Sequence, residues 1–152
     1  MDRNSIMSGL INSYKSYATT HTAGPIEKAL KFSGSAAEAI GRADIKAEAV
    51  MFRYGSGTTL GFVEDSKPLE LEQDWDVLVF VEQGDSHSIK EARYSRLLTI
   101  CDQLIDWSVE AQPSSISPDL YNITFSSTSQ VDEEGGYLSA TLTFTSQIKI
   151  QD

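Results

Sequence analysis

The sequence predicts an α+β fold, an antiparallel or mixed β-sheet with two main α-helices packed on one face and a long projecting β-hairpin. Two alternating apolar and polar segments, residues 120–131 and 137–150, predict the hairpin. Two segments of helical periodicity, near the N-terminus and at residues 88–111, predict the helices. Strand segments follow one another without regular alternation with helices, which favours α+β. The length of 152 residues predicts a single domain, 1–152.

The first helix begins after Asn4 or Ser5, either of which can serve as its N-cap. Its apolar positions follow helical spacing at Ile6, Met7, Leu10, Ile11, Tyr14, Tyr17 and Ala18. Residues 28–32 predict a short strand or a helical turn. Residues 35–40 predict a small Ala-rich helix that ends at Gly41.

The middle of the chain predicts the strands of the sheet. Residues 47–54 lead into Gly55-Ser56-Gly57 and then into residues 58–63, a pattern that predicts a second hairpin. Residues 64–74 predict an acidic loop. Residues 75–81 are apolar on both alternating sides, which predicts a central strand covered on both faces.

A long helix follows, with Ser88 as the predicted N-cap and Glu91 completing a capping box. It runs to about Ala111, before Pro113. One stripe of this helix is predicted to face the sheet: Ile89, Leu97, Leu98, Cys101, Leu104, Ile105 and Ser108. On that stripe Cys101 is interpreted as a small core residue, because no cationic neighbour is evident that would activate its thiol.

The C-terminal hairpin has the clearest pattern. Its return arm places one alternating set on the buried face: Leu138, Ala140, Leu142, Phe144, Ile148 and Ile150. Phe125 should then face Leu142 or Phe144, which predicts a connection of four or six residues around 132–136, or a bulge. At roughly 3.4 Å per residue the last strand is about 45 Å long, so part of it is expected to project and to need a partner.

Charge and composition exclude several classes of protein. Twelve basic against 22 acidic residues give a net charge of −10, which argues against holding nucleic acid by counterion release. The acidic residues concentrate in predicted loops, where they either solvate the surface or bind a partner. No segment resembles an export signal or a membrane span, so the expected compartment is the cytoplasm.

Residues typical of catalysis or of cofactor binding are sparse. His21 and His87 are the only histidines and Cys101 is the only cysteine, which excludes a Cys-based zinc site. No positioned nucleophile is present, and the Gly55-Ser56-Gly57 spacing is not that of a phosphate-binding loop. Asp74 and Asp76 could form half of a calcium site, but no EF-hand loop surrounds them. The sequence therefore predicts a non-enzymatic binding or assembly protein with no cofactor and no metal.

The order of elements resembles that of the tail terminator, or tail-completion, proteins of tailed bacteriophages. The resemblance rests on an N-terminal amphipathic helix, an acidic segment, the Trp-led strand 75–81, one long helix and the last strand 140–145. It implies a structural virion protein, assembled in the host cytoplasm, that forms a six-membered ring capping the tail tube. The implied partners are further copies of the chain, the tail tube protein and a neck or head connector protein, with DNA passing through the channel without specific binding.

Under this resemblance two groups of residues are expected to touch partners. The first is expected at the ring lumen or the tube-facing rim: Glu64, Asp65, Glu70, Glu72 and Asp74. The second is expected between subunits, at the hairpin: Asp132, Glu133, Glu134, Ile148 and Ile150. Two other interpretations stay open, another neck or head–tail joining ring component, and a small acidic cytoplasmic regulator that mimics nucleic acid.

Overall fold

A computed structural model describes residues 2–21, 28–32, 47–59 and 70–150, together with Gly24, Ile26 and Glu38. The elements in chain order are α1 (Arg3–Ala18), β1 (Ala29–Lys31), β2 (Glu48–Thr59), β3 (Glu70–Glu82), α2 (His87–Glu110), α3 (Pro113–Ile116), β4 (Thr124–Thr128), β5 (Asp132–Glu134) and β6 (Tyr137–Lys149). The predicted α+β class is confirmed, and residues 28–32 contain a strand. The predicted helix at 35–40 lies outside the described residues except for Glu38, which is helical.

The strands form one open sheet in the order β1-β2-β3-β6-β4, with β5 also pairing with β6. β1 runs parallel to β2, and the other described pairs are antiparallel. β3 and β6 pair along their whole length, from Glu70 opposite Lys149 to Glu82 opposite Tyr137. These two strands therefore form the centre of the sheet.

The predicted hairpin at Gly55-Ser56-Gly57 is wrong, because β2 continues through these residues with a bulge. The side chain of Gln73, which is fully buried, explains the difference. Its Nε2 donates hydrogen bonds to the carbonyl oxygens of Gly55 at 3.0 Å and Ser56 at 3.2 Å. At the bulge the carbonyl oxygens of Gly55 and Ser56 thus accept hydrogen bonds from this side chain in place of the neighbouring strand. The strand can therefore continue through these residues without forming a hairpin turn.

The C-terminal hairpin closes through a two-residue turn at Gly135 and Gly136, whose φ angles are 58° and 82°. Of the predicted alternatives, a connection of four or six residues is therefore wrong and the bulge is confirmed. Phe125 does face Phe144, as predicted, and the pairing shifts by one residue between Phe125 and Ser127. A second shift of one residue separates Thr128, opposite Leu142, from Asp132, opposite Ser139. Together these two extra residues on the outgoing arm reconcile the two-residue turn with the apolar pairing.

The return arm of the hairpin does not project. β6 lies between β3 and β4, and Leu142, Phe144 and Ile148 are almost completely buried. A partner outside the domain is unnecessary for β6 because β3 has the same length of thirteen residues. The exposed arm of the hairpin is β4.

Both main helices pack on one face of the sheet, as predicted. α1 lies over β1 and β2, while α2 crosses β3, β6 and β4. Hydrogen bonds join the helices, from the Tyr14 hydroxyl to Gln103 Oε1 at 2.7 Å and from Trp107 Nε1 to Ser13 Oγ at 3.0 Å. The sequence predicts that eight residues are buried together, Trp75, Val77, Val79, Phe80, Leu97, Leu104, Leu142 and Phe144. All eight are buried, but Phe80 belongs to a second cluster on the opposite face of the sheet, together with Ala49, Met51 and Leu78.

The helix starts differ from the predicted ones. Asp2 caps α1 by accepting hydrogen bonds from the amides of Asn4 and Ser5, the two residues predicted as caps. Ser86 caps α2 two residues before Ser88, through the amide of Ile89 at 3.3 Å.

Ile89 and Leu98, predicted to face the sheet from α2, are instead exposed to solvent. Cys101 is buried as predicted, and burial raises the pKa of its thiol to about 12.

We expect Leu104→Ala to lower the free energy of unfolding by about 2–5 kcal/mol, because Leu104 is fully buried between α2 and the sheet. Denaturant unfolding monitored by tryptophan fluorescence measures the change. Val109→Ala on the same helix is the control, since Val109 is 78% exposed and should cost little. A cost below about 0.5 kcal/mol for Leu104→Ala would contradict this packing.

Alkaline pH should destabilise the fold partly through Cys101. The folded state keeps the thiol proton up to about pH 12, whereas an unfolded cysteine loses it near pH 8.5, so the free energy of unfolding falls as pH rises between these values. Cys101→Ala removes this contribution and introduces a constant packing cost. The stability difference between wild type and variant should therefore shrink between about pH 8 and pH 10.5 in thermal melts, and a constant difference would contradict the burial of the thiol.

Candidate assembly surface

The acidic segment predicted as a loop is divided by the structure. Glu70, Glu72 and Asp74 lie in β3, so the loop prediction is wrong for residues 70–74. Glu64 and Asp65 lie outside the described residues. The acidic side chains of residues 70–74 alternate with Leu71 and Gln73, and this spacing suits a strand with one polar face.

Alternate residues of a strand point to the same side, so Glu70, Glu72, Asp74 and Asp76 form a row on the face opposite the helices. The last two are held by hydrogen bonds across the sheet. Thr145 Oγ1 donates to Asp74 Oδ1 at 2.9 Å, and Thr143 Oγ1 donates to Asp76 Oδ1 at 3.0 Å. Arg53 Nε also contacts Asp76 Oδ2 at 3.3 Å.

β6 continues this surface with half-exposed polar side chains. We call the polar face the set Glu70, Glu72, Asp74, Asp76, Thr141, Thr143, Thr145 and Gln147. Toward the other end of β3 the same side of the sheet is apolar and buried, at Leu78 and Phe80. Within the described part of the chain, no three His, Cys, Asp or Glu residues are grouped so that they could hold a metal ion. The polar face therefore presents hydrogen-bonding groups and a net negative charge, which Arg53 opposite Asp76 and Lys149 opposite Glu70 partly offset.

The residues predicted to lie between subunits divide into exposed and buried ones. Asp132 and Glu133 are exposed beside the two-residue turn, and Glu134 pairs with Tyr137 through the backbone. Ile150 is half-exposed. Ile148 is only 1% exposed and packs in the core of its own chain, so its predicted contact with a neighbouring subunit is wrong.

β4 forms one edge of the sheet among the described strands. Its residues are mostly exposed, and it pairs with β6 on one side only. The other side of an edge strand presents unpaired backbone N–H and C=O groups that can pair with another strand.

The surface of α2 beside this edge is apolar. We call the apolar stripe Tyr94, Leu98, Ile105 and Val109, whose spacing of four, seven and four places them along one line of the helix. Three of them are substantially exposed, Tyr94 at 45%, Leu98 at 41% and Val109 at 78%. The opposite side of α2 contacts α1 through Gln103 and Trp107, so the stripe faces the β4 edge. Sequence reasoning missed this surface because it assigned Leu98 to the core.

The opposite edge, as far as the described strands go, combines basic and apolar groups. β1 lies there with exposed Lys31, whose Nζ is 3.5 Å from the backbone oxygen of Asn4 in α1. A cavity of about 470 Å³ opens at this edge and is lined by Asn4, Met7, Lys31, Phe32, Phe52, Arg53 and Tyr54. Arg3 lies nearby, with its guanidinium carbon 5.6 Å from the ring centre of Tyr54.

Charge is distributed unequally along the chain and between these edges. Residues 1–63 contain seven basic and five acidic residues, a net charge of +2. Residues 97–148 contain seven acidic residues and no lysine or arginine, a net charge of −7. The first segment supplies α1, β1 and β2, and the second supplies β4, β5 and most of α2 and β6. Counting charge by segment could have revealed this asymmetry, and the fold shows which described elements each segment supplies.

Comparison of the chain with protein-family models and with curated protein sequences finds no match. Neither main helix, nor any other helix within the described residues, is long and apolar enough to cross a membrane.

Proposed function

We propose that this protein is a non-catalytic component of a bacteriophage tail, a terminator that forms a ring on the end of the tail tube and joins it to the head connector. The observation that carries the proposal is the one-sided layering of the fold. Both main helices lie on one face of the sheet, and the polar face on the other side carries carboxylates, hydroxyls and an amide, with Arg53 and Lys149 beside them. Such a face suits a surface that meets water, DNA or a tube subunit.

A ring of copies with the polar face toward the lumen would give the channel a negative wall. A wall of this sign repels the DNA phosphates, so DNA can slide through without binding. The cross-strand hydrogen bonds of Asp74 and Asp76 hold these carboxylates close to the sheet. Converging like charges cost assembly energy, which is tolerable only where the charge serves the channel or a basic tube surface.

The titratable groups that sequence reasoning considered for chemistry have structural partners. The ring of His21 stacks on Tyr17 at 3.7 Å, and its Nε2 lies 3.8 Å from Glu110 Oε2. Cys101 is buried, and the raised pKa of its thiol keeps it protonated at neutral pH. These surroundings give His21 and Cys101 structural roles that are compatible with the proposed assembly function.

Electron microscopy of negatively stained protein with and without its tail tube tests the proposal. We expect rings on tube ends. Assembled tails that carry no ring of this protein would overturn the proposal. A monomer or dimer that binds a basic partner would favour the regulator that mimics nucleic acid.

The polar face should set the salt dependence of capping. Replacing Glu64, Asp65, Glu70 and Glu72 together by glutamine should leave the melting temperature unchanged and make capping less dependent on salt, because fewer charges converge. A smaller variant, Glu70→Gln with Glu72→Gln, isolates the described half-exposed positions. Its matched control is Glu82→Gln with Asp85→Asn, which removes the same charge at the other end of β3. Folded variants that cap tails with unchanged salt dependence and give fully infectious particles would refute this role.

A further inference from the structure

We propose that copies of this chain associate head to tail, with the β4 edge and the apolar stripe of one copy against the β1 edge and α1 of the next. The inference rests on the proposed ring and identifies the surfaces that build it. The partner that binds the exposed β4 edge is thus a second copy of this chain, which contacts it through its own β1 edge.

Strand direction allows the two edges to pair. β4 runs antiparallel to β6, β6 to β3 and β3 to β2, while β1 runs parallel to β2. In two copies that face the same way, β4 of one therefore runs antiparallel to β1 of the next. An antiparallel pair can extend the sheet across the interface through the free backbone groups of β4.

In the same head-to-tail arrangement, the apolar stripe of one copy can contact the next copy. The apolar stripe runs from Tyr94 to Val109 on α2, fifteen steps or roughly 22 Å at 1.5 Å per residue, on the helix-covered side of the sheet. The neighbour's cavity beside β1 opens toward it with Met7, Phe32 and Tyr54 among its lining residues. Covering Tyr94 and Leu98 there would remove exposed apolar surface from water.

Charge selects this pairing over the alternatives. The β4 side carries exposed Asp102 on α2, and Asp132 and Glu133 beside the hairpin turn. The β1 side carries exposed Lys31, with exposed Arg3 nearby, whose Nη1 donates to Gln73 Oε1 at 3.0 Å. A contact between two β4 edges would bring the −7 segments together, whereas the head-to-tail contact joins opposite charges. Head-to-tail contacts generate a ring when the rotation closes.

Cysteine crosslinking tests the proposal. Asn4→Cys and Thr128→Cys are exposed positions at the two edges on the helix-covered side of the sheet, and native Cys101 is buried and should not react in the folded protein. The chain carrying both changes, treated with a short bismaleimide in solution and on tube ends, should give a ladder of covalent oligomers that stops at the ring size. Each single-cysteine variant should give no covalent oligomers. Dimers from Thr128→Cys alone, or no ladder under either condition, would overturn the head-to-tail contact.

Leu98→Glu supplies a second variant that keeps the fold, because Leu98 is exposed on the apolar stripe. Placed in the double-cysteine chain, it should abolish the ladder while circular dichroism and melting temperature stay unchanged. Leu98→Met is the matched control and should retain the ladder. An undiminished ladder with Leu98→Glu would remove the apolar stripe from the interface.

The outcomes separate this inference from the proposed function. Capped tubes without a ladder refute the head-to-tail contact and leave the terminator proposal standing. A ladder from a protein that never binds tubes supports the contact and refutes the terminator.

Discussion

The pairing of β3 with β6 is the constraint on which the rest of the structure depends. Its thirteen pairs place Trp75 on Phe144, with ring centres 4.5 Å apart, and bring Trp75 Nε1 within 3.0 Å of Ser146 Oγ. A slip of β3 by one residue would turn Trp75 outward and push Asp74 and Asp76 into the apolar core. Desolvating those carboxylates would be far costlier than exposing a tryptophan, so the register is strongly specified.

This register also creates the surfaces proposed for assembly. Because β3 and β6 are central, the long return arm β6 is paired on both sides within the sheet, and the short, polar strand β4 lies at the edge. Because α2 crosses toward β4, its apolar stripe lies beside that edge, while α1 and the basic groups lie at the other. A single chain thus carries two different edges, and a ring uses both of them once per copy.

Much of the fold follows from local pattern. The alternation at 138–148 and the two-sided apolar run at 75–81 identified the central strands, because burial on a pleated strand repeats every two residues. The helical spacing in α1 correctly identified its buried positions, including Ile6, Leu10 and Tyr14.

The incorrect predictions concern features that depend on contacts between residues distant in sequence. Gly55-Ser56-Gly57 resembles a turn, and only the buried amide of Gln73 makes it a bulge within a strand. Helical periodicity placed Leu98 in the core because it lies only a small rotation around the helix axis away from the buried residues of α2. Which side of α2 is covered depends on the position of α1, which contacts Gln103 and Trp107 on the other side. The strand order decides which strands lie at the edges of the sheet. Local sequence patterns do not indicate the strand order, so these edges could not be predicted.

The most direct test of the central claim is an electron cryomicroscopy map of the protein on its tail tube, at a resolution that traces strands. The account predicts a closed ring in which β4 of each copy lies beside β1 of the next and the polar face lines the lumen. A ring in which β4 faces solvent and the helices line the channel would contradict it.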